Sequence, residues 1–446
     1  MTHHRRHRGL AASAAGFAIV LTVSACIGSS STGATGDPNA KAVTITFWHG
    51  WSAPNEVKGI QATIAAFEKT HPNIHVQAVG NITDDKINQA LRAGGSNAPD
   101  VVSSFTTDNV GEFCSSGAFV DLAPLLKKSG VDPTATFLAA QLSYTSFNGD
   151  QCALPLLSDA YGLYYNKTMF QAAGISAPPN TLSEFDADAA KLTKMTGGAY
   201  SQLGFMPNYH GYESTITHFA AQWSTTYFAD GKSNVANDAG LKAAYDWQKG
   251  LVSQLGGFAP LEKYRSTFGD EFSDNNPFMI GKVAMAIDGE WRAGMIDDAK
   301  SKLDYGVAPF PVPDNLADQY GKGYITGTIV GIAKTSQKQN AAWEFVKYLT
   351  TDTDAVVNFA NAIHNVPSTK AALASPQVSQ DPHFQTFVSI ASNVNSNTTP
   401  SSPNGGAYQL TLQDVGYAFE SGKQGDLGPA LTQAAQQIDT DAARAK

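Results

Sequence analysis

The chain has 446 residues, of which 42% are hydrophobic and 15% charged. That is enough apolar material for a real core, and it excludes a disordered chain. The formal net charge is −9 with no basic stripe, which excludes a nucleic-acid binder held by phosphate contacts, and the length allows two or three domain-sized units.

His3, His4, Arg5, Arg6, His7 and Arg8 open the chain, and an apolar run follows from Leu10 to Val23. A basic start, a short apolar segment and small residues before a cut predict a secretory signal over 1–25. The apolar run falls short of the roughly 20 residues that a bilayer span needs. Val23-Ser24-Ala25-Cys26 is similar to the lipobox of bacterial lipoproteins. That resemblance implies cleavage before Cys26, a diacylglyceryl thioether on its sulfur, and attachment to the membrane through lipid alone. Loss of the leader removes three arginines and no acid, so −9 becomes −12. Residues 26–41 are Ser- and Gly-rich and read as a tether reaching ~20 Å. Cys114 and Cys152 remain, and an exported, disulfide-permissive compartment predicts a bridge between them.

Val43 to Phe47 alternates like a strand, followed by the loop Trp48-His49-Gly50-Trp51-Ser52. Val57, Ile60, Ile64 and Phe67 recur at helical spacing until His71-Pro72 stops the helix. Ile74, Val76 and Ala78 mark a second strand, Asp84 to Ala93 a second helix, and Asp100-Val101-Val102 a third strand. This alternation predicts a parallel, doubly wound α/β sheet. Ligands of such sheets bind beyond the carboxyl ends of the strands, here Trp48 to Ser52, Gly80 to Asp84 and Phe105 to Asn109. Further helices are predicted over 113–126, 137–147, 182–195, 215–224, 239–254, 337–349, 410–419 and 427–443. Leu154 to Leu156 follows the second of these. Strands are predicted over 283–288, 305–310 and 329–333, and a Ser/Asn/Pro-rich loop over 392–407.

No Gly-x-Ser-x-Gly, His-Glu-x-x-His, Walker loop or Gly-x-Gly-x-x-Gly after a strand occurs, and the histidines are too scattered for metal-ligand spacing. The informative pattern is aromatic residues beside polar ones in loops. A sugar has an apolar C–H face and a rim of hydroxyls, so its site pairs aromatic rings with Asp, Asn or Gln. Trp48-His49-Gly50-Trp51, Ser158-Asp159-Ala160-Tyr161, Tyr209-His210-Gly211-Tyr212 and Asp288-Gly289-Glu290-Trp291-Arg292 are loops of this kind. Trp247 and Trp343 read as core.

The strings VTITFWHGWSAP, NAPDVV, LPLLSDAYGLYYNKTMF, VAMAIDGEW and GIAKTSQKQNAAWEFVKYLTT resemble the extracellular solute-binding lipoproteins of carbohydrate ABC importers, the maltose-binding-protein-like group. The resemblance implies the two-lobe, type II periplasmic-binding-protein fold, each lobe a mainly parallel sheet flanked by helices, with hinge crossovers. It places one lobe at 42–156 with 326–365 and the other at 157–325 with 366–446. It implies a sugar receptor without catalytic residues, cofactor or metal, acting as a monomer at the outer face of the cell membrane and handing its ligand to permease subunits. The ligand set is Trp48, His49, Trp51, Ser52, Asp108, Asn109, Ser158, Asp159, Tyr209, His210, Trp291, Arg292 and Tyr408. Asn109 stands where the family often has a basic residue, and Tyr408, Gln409 and Gln413 occupy the penultimate-helix region. Two alternatives stay open: a receptor for a polyol phosphate, using Arg265 and Arg292, and a secreted glycoside hydrolase with Asp108 and Asp159 as its acids.

Overall fold

The chain is seen here as a computed structural model that describes residues 41–95, 98–207 and 214–445. The leader, Cys26, most of the tether, and Tyr209 and His210 lie outside the described residues. The strands are β1 (Val43–Trp48), β2 (Ile74–Val79), β3 (Val101–Ser104), β4 (Leu154–Asn166), β5 (Lys194–Thr196), β6 (Ala199–Phe205), β7 (Phe228–Ala229), β8 (Lys232–Ser233), β9 (Val283–Gly289), β10 (Tyr305–Pro309), β11 (Ile325–Ile332) and β12 (Val366–Pro367). One large sheet runs β2-β1-β3-β11-β4-β9-β6-β5, and β10 and β12 also pair with β4. β7 and β8 form a separate hairpin. The β1–β2, β1–β3 and β6–β9 ladders are parallel, and every ladder on β4 is antiparallel.

β4 is the member that joins the two halves of the sheet. Leu154 to Ala160 pair with β11, whereas Tyr161 to Asn166 pair with β9 and β10. Eleven of its thirteen residues are buried, so it carries no polar-out alternation, as expected of a strand covered on both faces.

Local chemistry explains the helices that set the cleft. Helix Pro54–Thr70 starts with proline, and the Glu56 carboxylate accepts from the Ala53 N–H at 2.9 Å. Its buried Ile60, Ile64 and Phe67 follow the 3.6-residue period. Gly59 lets helix Thr353–Ile363 approach closely, since a Cβ there would lie 3.1 Å from Ala362 and 3.2 Å from Ile363. Helix Asp84–Ala93 is capped by Thr83, buries Ile87 and Leu91, and stops at Gly94, whose φ is 61°.

Two elements differ from their sequence expectation. The helix expected over 113–126 is split into Asn109–Ser115 and Ala123–Lys128. Gly117 takes a left-handed φ of 67°, and Phe119 then bridges to Ala333 at the end of β11. The helix expected over 182–195 ends at Leu192, and Lys194–Thr196 pairs with β6 instead. Cys114 and Cys152 are joined in a disulfide that ties helix Asn109–Ser115 to the segment entering β4. Among the described residues no helix is long and apolar enough to cross a membrane.

Candidate ligand-binding cleft

A cavity of about 450 Å³ opens at the carboxyl end of β3, beside the middle of β4. Phe105, Thr106, Thr107 and Asp108 from the β3 loop form one wall. Tyr161 of β4 and Tyr324 and Thr326 at the start of β11 lie at its base. Thr215, Thr217 and His218 close it from another side, with Gly405, Gly406, Gln409, Leu410 and Gln413 at the start of helix Ala407–Glu420. The aromatic part is a packed group. His218 stacks on Tyr324 with centroids 4.3 Å apart, and Tyr161 meets both at 4.6 and 5.2 Å.

The polar part is cross-linked. Gln409 Nε2 donates to Asp108 Oδ1 at 2.6 Å, and Gln409 Oε1 accepts from the Thr217 hydroxyl at 3.1 Å. The Thr107 and Thr326 hydroxyls share a 3.0 Å hydrogen bond. Burial pushes the Asp108 carboxyl up to about 7, against the opposing pull of the Gln409 donor. Gly406 makes this approach possible: φ is 78°, and a Cβ would stand 2.6 Å from that of Asp108.

A second cavity of about 400 Å³ adjoins the first, lined by Gly50, Asn81, Ile82, Thr83, Asp84, Phe105, Thr106 and Phe272. Phe105 and Thr106 border both. Gly50 is needed beneath Phe105, because a Cβ there would sit 2.5 Å from the ring.

Asp108 is the member of the expected ligand set that lines the main cavity among the described residues. Trp51 is a correction: it is 2% exposed and packs edge-on to Phe359 at 4.9 Å under helix Thr353–Ile363. His49 is buried beside it, and burial lowers its imidazole to about 4. Trp48 packs against the core, and the Ser52 N–H donates to the Glu56 carboxylate that caps helix Pro54–Thr70. Asn109 turns inward and donates to Ser104 Oγ at 3.1 Å. Tyr408 is a further correction. On helix Ala407–Glu420 it shares the buried face with Leu412 and Phe419, its hydroxyl donating to the Pro400 carbonyl at 2.9 Å. Gln409 and Gln413, one helical turn apart, face the cavity instead.

Ser158, Asp159, Trp291 and Arg292 stand behind the wall. Ser158 is fully buried and accepts from Gln141. Asn365 Nδ2 donates to Asp159 Oδ1 at 2.6 Å and to Glu290 Oε1 at 2.9 Å, and the Ala160 N–H donates to Glu290 Oε2 at 3.0 Å. Burial raises Asp159 to about 6 and holds Glu290 well above its ordinary range, helped by the neighbouring Asp159 charge. Trp291 supports Tyr161 edge-on at 5.5 Å, its indole folded over Gly289. Arg292 is 1% exposed and paired with Asp288, with Nε to Oδ2 at 2.5 Å. A buried, paired guanidinium is structural and not free to meet a ligand.

The sequence pattern singled out Tyr161 within Ser158-Asp159-Ala160-Tyr161 without placing it in the ligand set, and it passed over His218, Tyr324, Thr215, Thr217, Thr326 and Leu410. Tyr161 had a signal, following Ser158-Asp159 after an apolar run. The threonines and Tyr324 have no local signature.

Residues 62–386 match the model of the bacterial extracellular solute-binding proteins. The chain belongs to this family. A binding protein of Brucella abortus is 28% identical over 217 residues, 48% of this chain and 50% of that protein. The chain thus spans about half the length of that relative. The maltotriose-binding protein of Pyrococcus abyssi is 22% identical over 345 residues, 77% of this chain and 70% of that protein. Among solved structures, the mannotriose-bound protein CpMnBP1 is 25% identical, with a TM-score of 0.73 over 89% of this chain and all of that one. This solute-binding protein has the two-lobe α/β fold of the periplasmic-binding type.

Proposed function

We propose that the protein is a receptor that captures a neutral carbohydrate in this cleft and delivers it to the permease of an ABC importer. One observation carries the reading: the main cavity sets the half-exposed Phe105 ring, with the packed Tyr161, His218 and Tyr324 group at its base, beside a rim of threonines, Gln409, Gln413 and Asp108. Aromatic faces suit the C–H faces of a sugar, and the short polar side chains suit its hydroxyls. One related protein is named for maltotriose, and a structural relative is seen with mannotriose bound.

Among the described lining residues of both cavities there is no Lys or Arg, which speaks against a phosphate ester. Arg292 is committed to Asp288, and Arg265 pairs with Glu262. The hydrolase alternative needs two acids facing across a sugar, and Asp159 instead lies against Asn365 and Glu290 behind the wall. The reading is therefore of a binding protein without chemistry of its own.

The lobe boundaries at 156/157, 325/326 and 365/366 are part of the proposal. What supports them is that β11 and β12, which hold the second and third boundaries, both pair with β4, although β4 itself changes partners only between Ala160 and Tyr161, a few residues past the first. Ligand that touches both lobes would favour the closed form by population shift. We further propose a monomer, anchored through lipid on Cys26 at the outer face of the cell membrane.

Calorimetric titration with neutral mono- and oligosaccharides and with glycerol 3-phosphate tests the function. Binding of a neutral sugar is expected, and binding of the phosphate alone overturns the reading. Incorporation of labelled fatty acid, lost in Cys26→Ser, tests the anchor.

A further inference from the structure

Six large hydrophobic side chains stand exposed among the described residues, and three of them, Phe105, Phe272 and Leu410, line the two cavities. Single exposed apolar residues need no explanation, but a group of them in one concave site does. Phe105 is 42% exposed and Phe272 44%. Both border the second cavity, from opposite parts of the chain.

Each ring is also held. Phe105 lies across Gly50 and meets the Trp51 indole edge-on at 5.7 Å. Phe272 sits on a braced turn. Its N–H donates to Asp270 Oδ1 at 2.8 Å, and the preceding Glu271 carbonyl accepts from Arg292 Nη2 and from Asn276 Nδ2, each at 2.9 Å. The Arg292 guanidinium lies 5.8 Å from the Phe272 ring centre. The buried Asp288–Arg292 pair thus anchors the segment that presents Phe272. An exposed aromatic on a backbone braced by buried groups is pre-organised for a partner, because little main-chain freedom remains to be lost on contact. Between the rings, Asn81, Thr83 and Asp84 supply a polar rim without a positive charge.

We propose that Phe105 and Phe272 are the two aromatic walls of a second sugar subsite, so that the cleft is built for chains of two or more rings. The main cavity takes one end of the chain, and the chain passes Phe105 and Thr106 into the second cavity. Arg292 and Gly50 are positioning residues for the two walls. This inference rests on the carbohydrate reading above.

The test is calorimetric titration of the wild type, Phe272→Ala and Gly50→Ala with two series: mannose, mannobiose and mannotriose, and glucose, maltose and maltotriose. Circular dichroism melts check that each variant is folded. The expected result is that, in at least one series, wild-type affinity rises with chain length, and that the gain from mono- to trisaccharide shrinks about tenfold in Phe272→Ala, the loss of one stacking contact. Gly50→Ala, which moves the Phe105 ring without removing it, shrinks the gain in the same direction. A wild type that binds the monosaccharide as tightly as the trisaccharide overturns the inference, as does an unchanged gain in Phe272→Ala. Both results leave the carbohydrate reading standing. A wild type that binds none of the six sugars overturns both.

Discussion

The loops that leave β1 and β3 carry the same kinds of residue and end in opposite places. One brings His49 and Trp51, the other Phe105 and Asp108, each next to small or polar neighbours at the carboxyl end of a parallel strand. Trp51 is 2% exposed and Phe105 is 42% exposed, although the two rings touch. The difference lies in what comes back over each loop. Helix Thr353–Ile363 returns from the far end of the chain to cover helix Pro54–Thr70, and Phe359 closes on the Trp51 indole. Over the outer face of Phe105 there are the two cavities. A strand-end aromatic is therefore core or ligand platform according to a segment some 300 residues away, and not according to its own loop.

The comparison breaks most sharply at Trp51. Trp51→Ala removes a buried indole and is expected to destabilise the protein by ~3–5 kcal/mol, read from urea unfolding, with little change in the sugar affinity of the folded fraction. A stable variant with collapsed affinity would put Trp51 in the site after all. Next comes the brace behind the β3 loop. Replacing Cys114 and Cys152 together by serine is expected to cost ~2–4 kcal/mol by the same measurement, because the bridge holds helix Asn109–Ser115, which Asp108 precedes.

Phe105→Ala should show the opposite profile to Trp51→Ala. Stability should change by less than ~1 kcal/mol, since the ring is half exposed, while affinity for the best trisaccharide falls about tenfold in calorimetry. Gln409→Ala sharpens the same side of the comparison. It leaves Asp108 without its side-chain donor and is expected to weaken sugar binding by about 1–2 kcal/mol, again by calorimetry.

The smallest effect is a pH dependence. The Asp108 carboxyl is held at about 7, above its ordinary range, so the folded state binds its proton more tightly than the unfolded chain. That contribution is fully present below about pH 4 and is lost as pH rises through 7. Asp159, at about 6, acts in the same direction. His49, lowered from 6.5 to about 4, acts in the opposite direction below pH 6.5, so the melting temperature should fall by about one to two degrees between pH 6.5 and pH 8. Asp108→Asn keeps an acceptor for Gln409 and should narrow that fall. An unchanged slope would show that Asp108 is ionised at no cost in the folded protein.

The sheet-forming half of the molecule was legible because its signals are local. Alternation marked β1 and β2, and the helix read over Asp84 to Ala93 has those bounds in the structure. β4 was not read as a strand, although its first residues, Leu154 to Leu156, stood out as an apolar run. Its remaining residues form a continuous buried run without alternation, and periodicity cannot separate that from a buried helix. The lining of the main cavity was legible at Asp108 and in the neighbourhood of Tyr161. Trp51, Arg292 and Tyr408 are instead buried away from that lining, which their sequence context does not show, because a Trp in a loop, an Arg after a Glu-Trp pair and a Tyr at a helix start look alike whether they face solvent, a cavity or another helix.

By itself the sequence determined the α/β class, the acidic surface, the positions of most helices and the family to which the chain belongs, because short-range spacing and composition carry those. The tertiary structure alone decided which aromatic residues stay open. That choice depends on helix Thr353–Ile363 covering Trp51, on Gly406 admitting Asp108 to Gln409, and on a buried Asp288–Arg292 pair holding Phe272 outward. Each is a contact between segments far apart in the chain, and burial is a property of the contact, not of the residue.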